Sequence, residues 1–278
     1  PMSGCEQVAQ TMLVQDMMKN NSLSALGFNM RLGGAHISRT MMLEELNILL
    51  AHINRIDAEK KEYIHAIIAE NCLGKRSAKT RALTGRYLVD LYSLDNKNVL
   101  FRALLYFWNR DTVARPLLAL LCAYARDPVL RVAAHYILNL PEGTVLTRES
   151  LEEFIDAQKP GRFSKATLKS TAQNINATWT KSGHLSGRAK KVRGRATPTA
   201  ASVSYAMFLG YLTGLRGQTL IQSEYGKLLD CPPGKIIEMA EEASRKGWID
   251  LKRVGEIIEI GFPKLISQHE LELLHEQD

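Results

Sequence analysis

Residues 248–263 read WIDLKRVGEIIEIGFP. Trp248 and Asp250 alternate with Ile249 and Leu251, a turn falls near Val254–Gly255, and Ile257, Ile258 and Ile260 follow. Two β-rich runs joined by a glycine-containing turn predict a hairpin. The residues before it carry helical signals. PTAASVSYAMFLGYLTGL (198–215) is an apolar helix with Pro198 near its start, and TLIQSEYGKLLD (219–230) is a short amphipathic one. CPPGKIIEMAEEASRKG (231–247) places its prolines in a first helical turn and Gly247 at a C-cap. Three helices and a two-stranded hairpin over 199–263 predict a winged helix.

Upstream, the same order recurs more loosely. LTRESLEEFIDAQKP (146–160) is a helix capped by Thr147, and SKATLKSTAQNINATWTKSGHL (164–185) is a second, capped by Ser164 and broken at Ser182–Gly183. KSGHLSGRAKKVRGRATPTAAS (181–202) follows, with Gly187 and Gly194 spaced for a turn. Residues 146–197 are therefore expected to form a second winged-helix-like unit with a basic wing.

The remainder has helical periodicity and no strand signal before Gly143. Helices are expected at about 4–19, at 36–53 with Ser38 as N-cap, at 57–74 opening with Asp57 and closing at Gly74, and at 75–94 capped by Ser77. Two strongly apolar helices, 96–111 and 112–126, precede VLRVAAHYILNL (129–140), introduced by Asp127–Pro128. The expected architecture is mainly α: an N-terminal helical bundle (1–145), a winged-helix-like unit (146–197), and a C-terminal winged helix with a tail (198–278).

Charge is distributed unevenly. Of 36 Lys/Arg against 29 Asp/Glu, eleven bases and no acid fall between Ala157 and Ser223, a run of 67 residues. The rest of the chain holds 25 bases and 29 acids, a balance of −4, so the whole positive excess sits in one stretch. That asymmetry points to a polyanion. On the helix 164–182, Leu168, Ala172, Ile175 and Trp179 mark one face to bury. Lys165, Lys169, Gln173, Asn174, Asn176 and Lys181 mark one to present, of types that meet base edges and phosphates. As a wing, Arg188, Lys190, Lys191, Arg193 and Arg195 would lie along phosphates or in a narrow minor groove. A second basic group, Lys75, Arg76, Lys79 and Arg81, surrounds a helix start. The third helix of the C-terminal unit instead exposes Glu238, Glu241 and Glu242, which suits packing or protein contact better than phosphates.

Signals for catalysis are lacking. The sequence has no phosphate-binding loop, GxSxG, HExxH or tight acidic group, and its seven histidines are scattered. Cys5, Cys72, Cys122 and Cys231 have no metal-ligand spacing and read as reduced thiols of a cytoplasmic protein. No cofactor or metal is expected. Glu6 and Asp16 argue against a secretory signal, and Pro1 before Met2 reads as a residue left by tag removal. The most apolar run, VARPLLALLCAYA (113–125), contains Arg115 and Pro116 and reads as a buried helix rather than a membrane span.

Three stretches carry a resemblance: NMRLGGAHISRTMMLEELNILL (29–50), ENCLGKRSAKTRALTGRYLVDL (70–91) and GWIDLKRVGEIIEIGFPKLI (247–266). Together they resemble the BrxA family of BREX phage-defence systems, in a Gly-Gly turn entering an acidic helix, a basic helix ending at Arg86-Tyr87-Leu88, and a terminal hairpin. The basic segment 181–196 has no counterpart in that resemblance. The resemblance implies an all-helical, non-enzymatic DNA-binding component acting beside other phage-defence proteins. The expected partner is thus double-stranded DNA, held mainly by its backbone. Two alternatives stand beside it: a sequence-specific winged-helix transcription regulator, and a protein-binding scaffold subunit. Charge alone does not separate DNA from RNA.

Overall fold

The computed structural model describes residues 20–29, 33–188 and 190–275. The chain is mainly helical with two small antiparallel sheets. After a 3₁₀ turn at Ala35–Ile37 come α1 (Leu43–Ile53), α2 (Lys60–Ile68), α3 (Ala78–Tyr92), α4 (Val99–Trp108), α5 (Arg115–Arg126) and α6 (Pro128–Leu138). Next are β1 (Val145–Leu146), α7 (Arg148–Gln158), α8 (Lys165–Lys181), β2 (Leu185–Ser186) and β3 (Lys191–Arg193). The last part holds α9 (Ala200–Leu212), two single-turn helices α10 (Thr219–Gln222) and α11 (Glu224–Lys227), α12 (Pro233–Arg245), β4 (Asp250–Val254), β5 (Ile257–Gly261) and α13 (Gln268–His275). The helix expected at 4–19 and Cys5 lie outside the described residues.

Local signals set many boundaries. Ser77, Asn98, Asp127, Thr147, Ser164 and Thr199 each accept backbone N–H groups at the start of a helix, as N-caps do. β4 and β5 pair with Val254 opposite Ile257 around Gly255, whose φ of 60° suits glycine. Ile249, Ile258 and Ile260 are buried beneath this hairpin, while Val254 and Ile257 at its tip are exposed.

Two expected helix starts are corrected. The helix predicted from residue 36 begins at Leu43, after Met42 in the left-handed region (φ 52°). Tertiary bonds hold residues 36–41 out of the helix. The His36 amide and Nδ1 both donate to Asp127 Oδ2, at 2.9 and 2.8 Å, and the Met41 amide donates to Thr178 Oγ1 at 2.9 Å. Tyr92 donates to the Met41 carbonyl. The helix predicted from Asp57 starts at Lys60, because Glu59 and Glu62 form a capping box there while Asp57 pairs with Arg55. It also ends at Ile68 rather than Gly74.

The core runs through α4, α5 and α9. α9 is buried on nearly every side and packs on α4 and α5 as well as on α11 and α12. Its serines are satisfied within the helix, Ser204 donating to the Ala200 carbonyl at 2.7 Å. Tyr205 donates to the Leu100 carbonyl at 3.0 Å. The C-terminal helices are thus rooted in the N-terminal bundle. α6 packs on α7, and α8 on α7, on α5 and on the 3₁₀ turn.

One polar node joins these parts. Asp127 caps α6 through Val129 and Leu130 and also receives the fully buried His36. With Nδ1 donating to Asp127, Nε2 accepts the Thr178 hydroxyl of α8 at 2.9 Å. Burial opposes ionisation of Asp127, but the neighbouring His36 and the backbone N–H groups hold its carboxyl below the ordinary value. Gly34 is required by space: a Cβ there would lie 1.8 Å from Asp127 Oδ1. Replacing Thr178 with Val strands the His36 ring nitrogen and the Met41 amide, for a loss of about 1–3 kcal/mol per unpaired group. Equilibrium urea unfolding of Thr178→Val checks this, with Thr178→Ser retaining most of the stability.

Candidate nucleic-acid interface

α8 is amphipathic on more than one side. Leu168, Ala172, Ile175 and Trp179 are buried, as the spacing predicts. A second side is covered by the segment around His36: Ser170 donates to the Ile37 carbonyl at 3.2 Å and Asn174 to the His36 carbonyl at 3.1 Å. Lys181 pairs with Glu44. Asn174 is thus half-buried against the 3₁₀ turn, and Lys181 is held in a surface ion pair, so neither belongs to the exposed stripe. What α8 leaves exposed is a stripe of Lys165, Lys169 and Gln173, with Ala166 beside it in the first turn. Four-residue steps keep these on one side of the helix.

The basic segment after α8 is a hairpin. β3 lies between β1 and β2, with Val145 opposite Val192 and Leu185 opposite Arg193. Its cations divide by position. Arg193 is 2% exposed and donates through Nη1 and Nη2 to the two Asp230 oxygens, both at 2.7 Å. Arg195 is exposed but bound to Asp230 at 2.9 Å and Glu142 at 3.3 Å. Both were expected to face phosphates. Arg193 instead holds the hairpin onto the loop before α12, and Arg195 is compensated by two acids. Burial would raise the Asp230 carboxyl, yet the Arg193 hydrogen bonds and nearby positive charge keep it below its ordinary value.

His184 completes this joint. Its Nε2 donates to the Leu228 carbonyl at 3.0 Å, leaving Nδ1 to accept from Ser182 Oγ at 2.9 Å. Burial pulls the imidazole down to about 4.

Arg188, Lys190 and Lys191 surround the turn of the hairpin. Arg188 and Lys190 are exposed, and the Lys191 ammonium donates to the Gly187 carbonyl at 2.7 Å. Among the described residues, no carboxylate forms an ion pair with Lys165, Lys169, Arg188, Lys190 or Lys191. The three hairpin cations line a cleft of about 540 Å³ with Gln173, Asn176 and Ala177 of α8 and with residues 145–149. Glu149 is also at this cleft, paired with Arg148 at 2.5 Å.

The second basic group does not line that cleft. Lys75, expected at a phosphate, pairs with Glu45 at 3.0 Å. Arg76 and Lys79 are exposed at the start of α3, and Arg81 is half-buried. Val145, Thr147 and Arg148 belong to the cleft but were not foreseen. The only sequence signal was the Thr147 cap, since a two-residue strand has no periodicity to detect.

No family model matches the chain, and no curated protein matches it. Among solved structures it is similar to a crystal structure of SspB, over 91% of this chain and 90% of that one, with a TM-score of 0.53 and 13% identity. That likeness is one of fold. Among the described residues no helix is long and apolar enough to cross a membrane, and no group of His, Cys, Asp and Glu is arranged to hold a metal.

The joint at Asp230 has measurable consequences. Asp230→Ala leaves Arg193 buried and unpaired, for an expected loss of about 3–5 kcal/mol in equilibrium unfolding. The unfolded chain protonates His184 near its ordinary 6.5, whereas the folded chain does so only near 4. Between those values the unfolded state binds the extra proton, so stability falls as pH falls. The total is about 3 kcal/mol. His184→Gln should flatten that limb of the stability–pH curve. The lowered carboxyls of Asp127 and Asp230 lose their contributions at lower pH, below the ordinary carboxylate range.

Proposed function

We propose that this chain is a non-enzymatic DNA-binding protein that grips double-stranded DNA mainly through phosphates. The grip is formed by the exposed stripe of α8 and the β2–β3 turn. The observation that carries this reading is the grouping of Arg188, Lys190 and Lys191, none of them in an ion pair among the described residues, at one cleft beside the C-terminal half of α8. Arg188, Lys190 and Lys191 line one cleft, the Lys165–Lys169–Gln173 stripe leads toward it, and no acid pairs with these bases among the described residues. An ordinary solvated helix face mixes charge signs; here neither α8 nor the hairpin after it contains an acid, and Glu149 of α7 is the carboxylate at the cleft.

We further propose that residues 128–193 form one winged helix and 200–261 another. Supporting the first is the order α6, β1, α7, α8, β2, β3 with β3 central in the sheet. This extends the unit expected at 146–197 to include α6. Supporting the second is α9 packed on α12, followed by the β4–β5 hairpin. In this reading only the first unit grips DNA. Three of the second unit's cations pair with its own acids, Lys235 with Glu238, Lys246 with Glu242 and Arg253 with Glu241, and the helix α12 that would enter a groove carries those three glutamates. This unit serves packing or protein contact. A role in phage defence, beside other proteins of such a system, rests on the sequence resemblance to the BrxA family.

If Lys165, Lys169, Arg188, Lys190 and Lys191 each neutralise a phosphate, log K against log salt has a slope of about −4 to −5. Reversing Arg188, Lys190 and Lys191 to Glu should abolish detectable shift of a random duplex at moderate salt and, where binding persists, reduce the slope by about 3. Lys181→Ala, which breaks only an internal pair, should leave both affinity and slope unchanged. Unaltered binding by the triple reversal across a salt series, measured by fluorescence anisotropy, overturns the reading.

A further inference from the structure

The two most exposed large apolar side chains among the described residues are neighbours. Val254, 78% exposed, and Ile257, 75% exposed, lie opposite each other at the tip of the β4–β5 hairpin. Side chains alternate across a sheet, so this pair shares a face with the pairs two and four residues back. Those pairs are Lys252 opposite Glu259 and Asp250 opposite Gly261. The other face is turned inward: Ile258 and Ile260 are buried, and Arg253, opposite Ile258, pairs with Glu241 of α12 at 3.6 Å. On the outer face Asp250, Lys252, Val254, Ile257 and Glu259 are all exposed. Lys252 and Glu259 form no ion pair, with each other or with any other described residue.

This face is complementary to itself. Two copies set face to face about a two-fold axis parallel to the strands lay β4 of one over β5 of the other. Each residue then meets the second copy's version of its own cross-strand neighbour. Val254 meets Ile257 of the second copy, Lys252 meets Glu259, and Asp250 meets Gly261, each contact occurring twice. Sheets packed in this way stand about 10 Å apart, a gap that facing aliphatic side chains fill. An axis across the strands brings the apolar pairs together only by leaving Lys252 and Glu259 without a counterpart. Nucleic acid suits the face poorly, because Asp250 and Glu259 lie on it.

We infer that the outer face of the β4–β5 hairpin is an interface between two copies of this chain, related by a two-fold axis along the strands. The inference stands apart from the DNA-binding reading, which rests on the other unit. The face is far smaller than the about 20–30 residues a side of a stable interface, so the association is weak and depends on concentration.

Sedimentation velocity of the full chain, from micromolar to near-millimolar protein without DNA, tests this. The weight-average mass should climb from one chain toward two, while Ile257→Lys, altered at an exposed position, should stay at one. Lys252→Glu and Glu259→Lys each set like charges against the second copy, and each alone should associate about fivefold more weakly. Mixed in equal amounts, these two variants should recover the unaltered association, because every facing pair is then opposite in sign. Repulsion within each hairpin persists in the mixture and cannot produce that recovery. A mass of one chain at every concentration overturns the inference and leaves the apolar pair to a partner of another kind. Association that persists in Ile257→Lys, or that the mixture fails to recover, overturns it as well.

Discussion

Asp230 accepts four hydrogen bonds, from Arg193 Nη1 and Nη2, from Arg195 Nη1 and from the Ala196 amide. The stretch from Ala157 to Ser223 contains no carboxylate, so any of its cations that folding buries must find an acid elsewhere in the chain. A buried guanidinium without a counter-charge is not tolerated. The hairpin β2–β3 can therefore pack into the protein only where Asp230 meets it. That requirement joins the basic hairpin to the loop ahead of α12, with His184 on Leu228 as a second tie. The same acid divides the segment: cations at the base of the hairpin are neutralised, and those at its turn are not.

The node at His36 and Asp127 imposes a comparable division on α8. By holding residues 36–41 against Ser170, Asn174 and Thr178, it covers one side of a helix whose composition offered a broad polar face. What remains is a narrow line of Lys165, Lys169 and Gln173 ending at the cleft. A phosphate grip suits that shape, because contacts to the backbone need charge along a line, whereas base reading needs several side chains projecting together into a groove.

Local structure was legible to the extent that it was decided locally. The caps at Ser77, Asp127, Thr147 and Ser164 and the hairpin around Gly255 follow from hydrogen bonds within a few residues. The start of α1 was not, since His36 and Met41 are bound to residues 91 and 137 positions away. β1 escaped notice because two residues carry no pattern. For the candidate site, the acid-free run located the segment, and Arg188, Lys190 and Lys191 lie at one surface. The run could not tell Arg193 from Lys191, two positions apart on the same strand, because one contacts Asp230 and the other does not.

The sequence by itself determined a mainly helical chain, the terminal hairpin, and the stretch that holds the positive excess, because each depends on periodicity, propensity or summed charge along the polymer. Only the tertiary structure decided which of those charges stay free. Ion pairing depends on distance in space, and the acids that meet Lys181, Arg193 and Arg195 come from Glu44, Asp230 and Glu142, all outside the run.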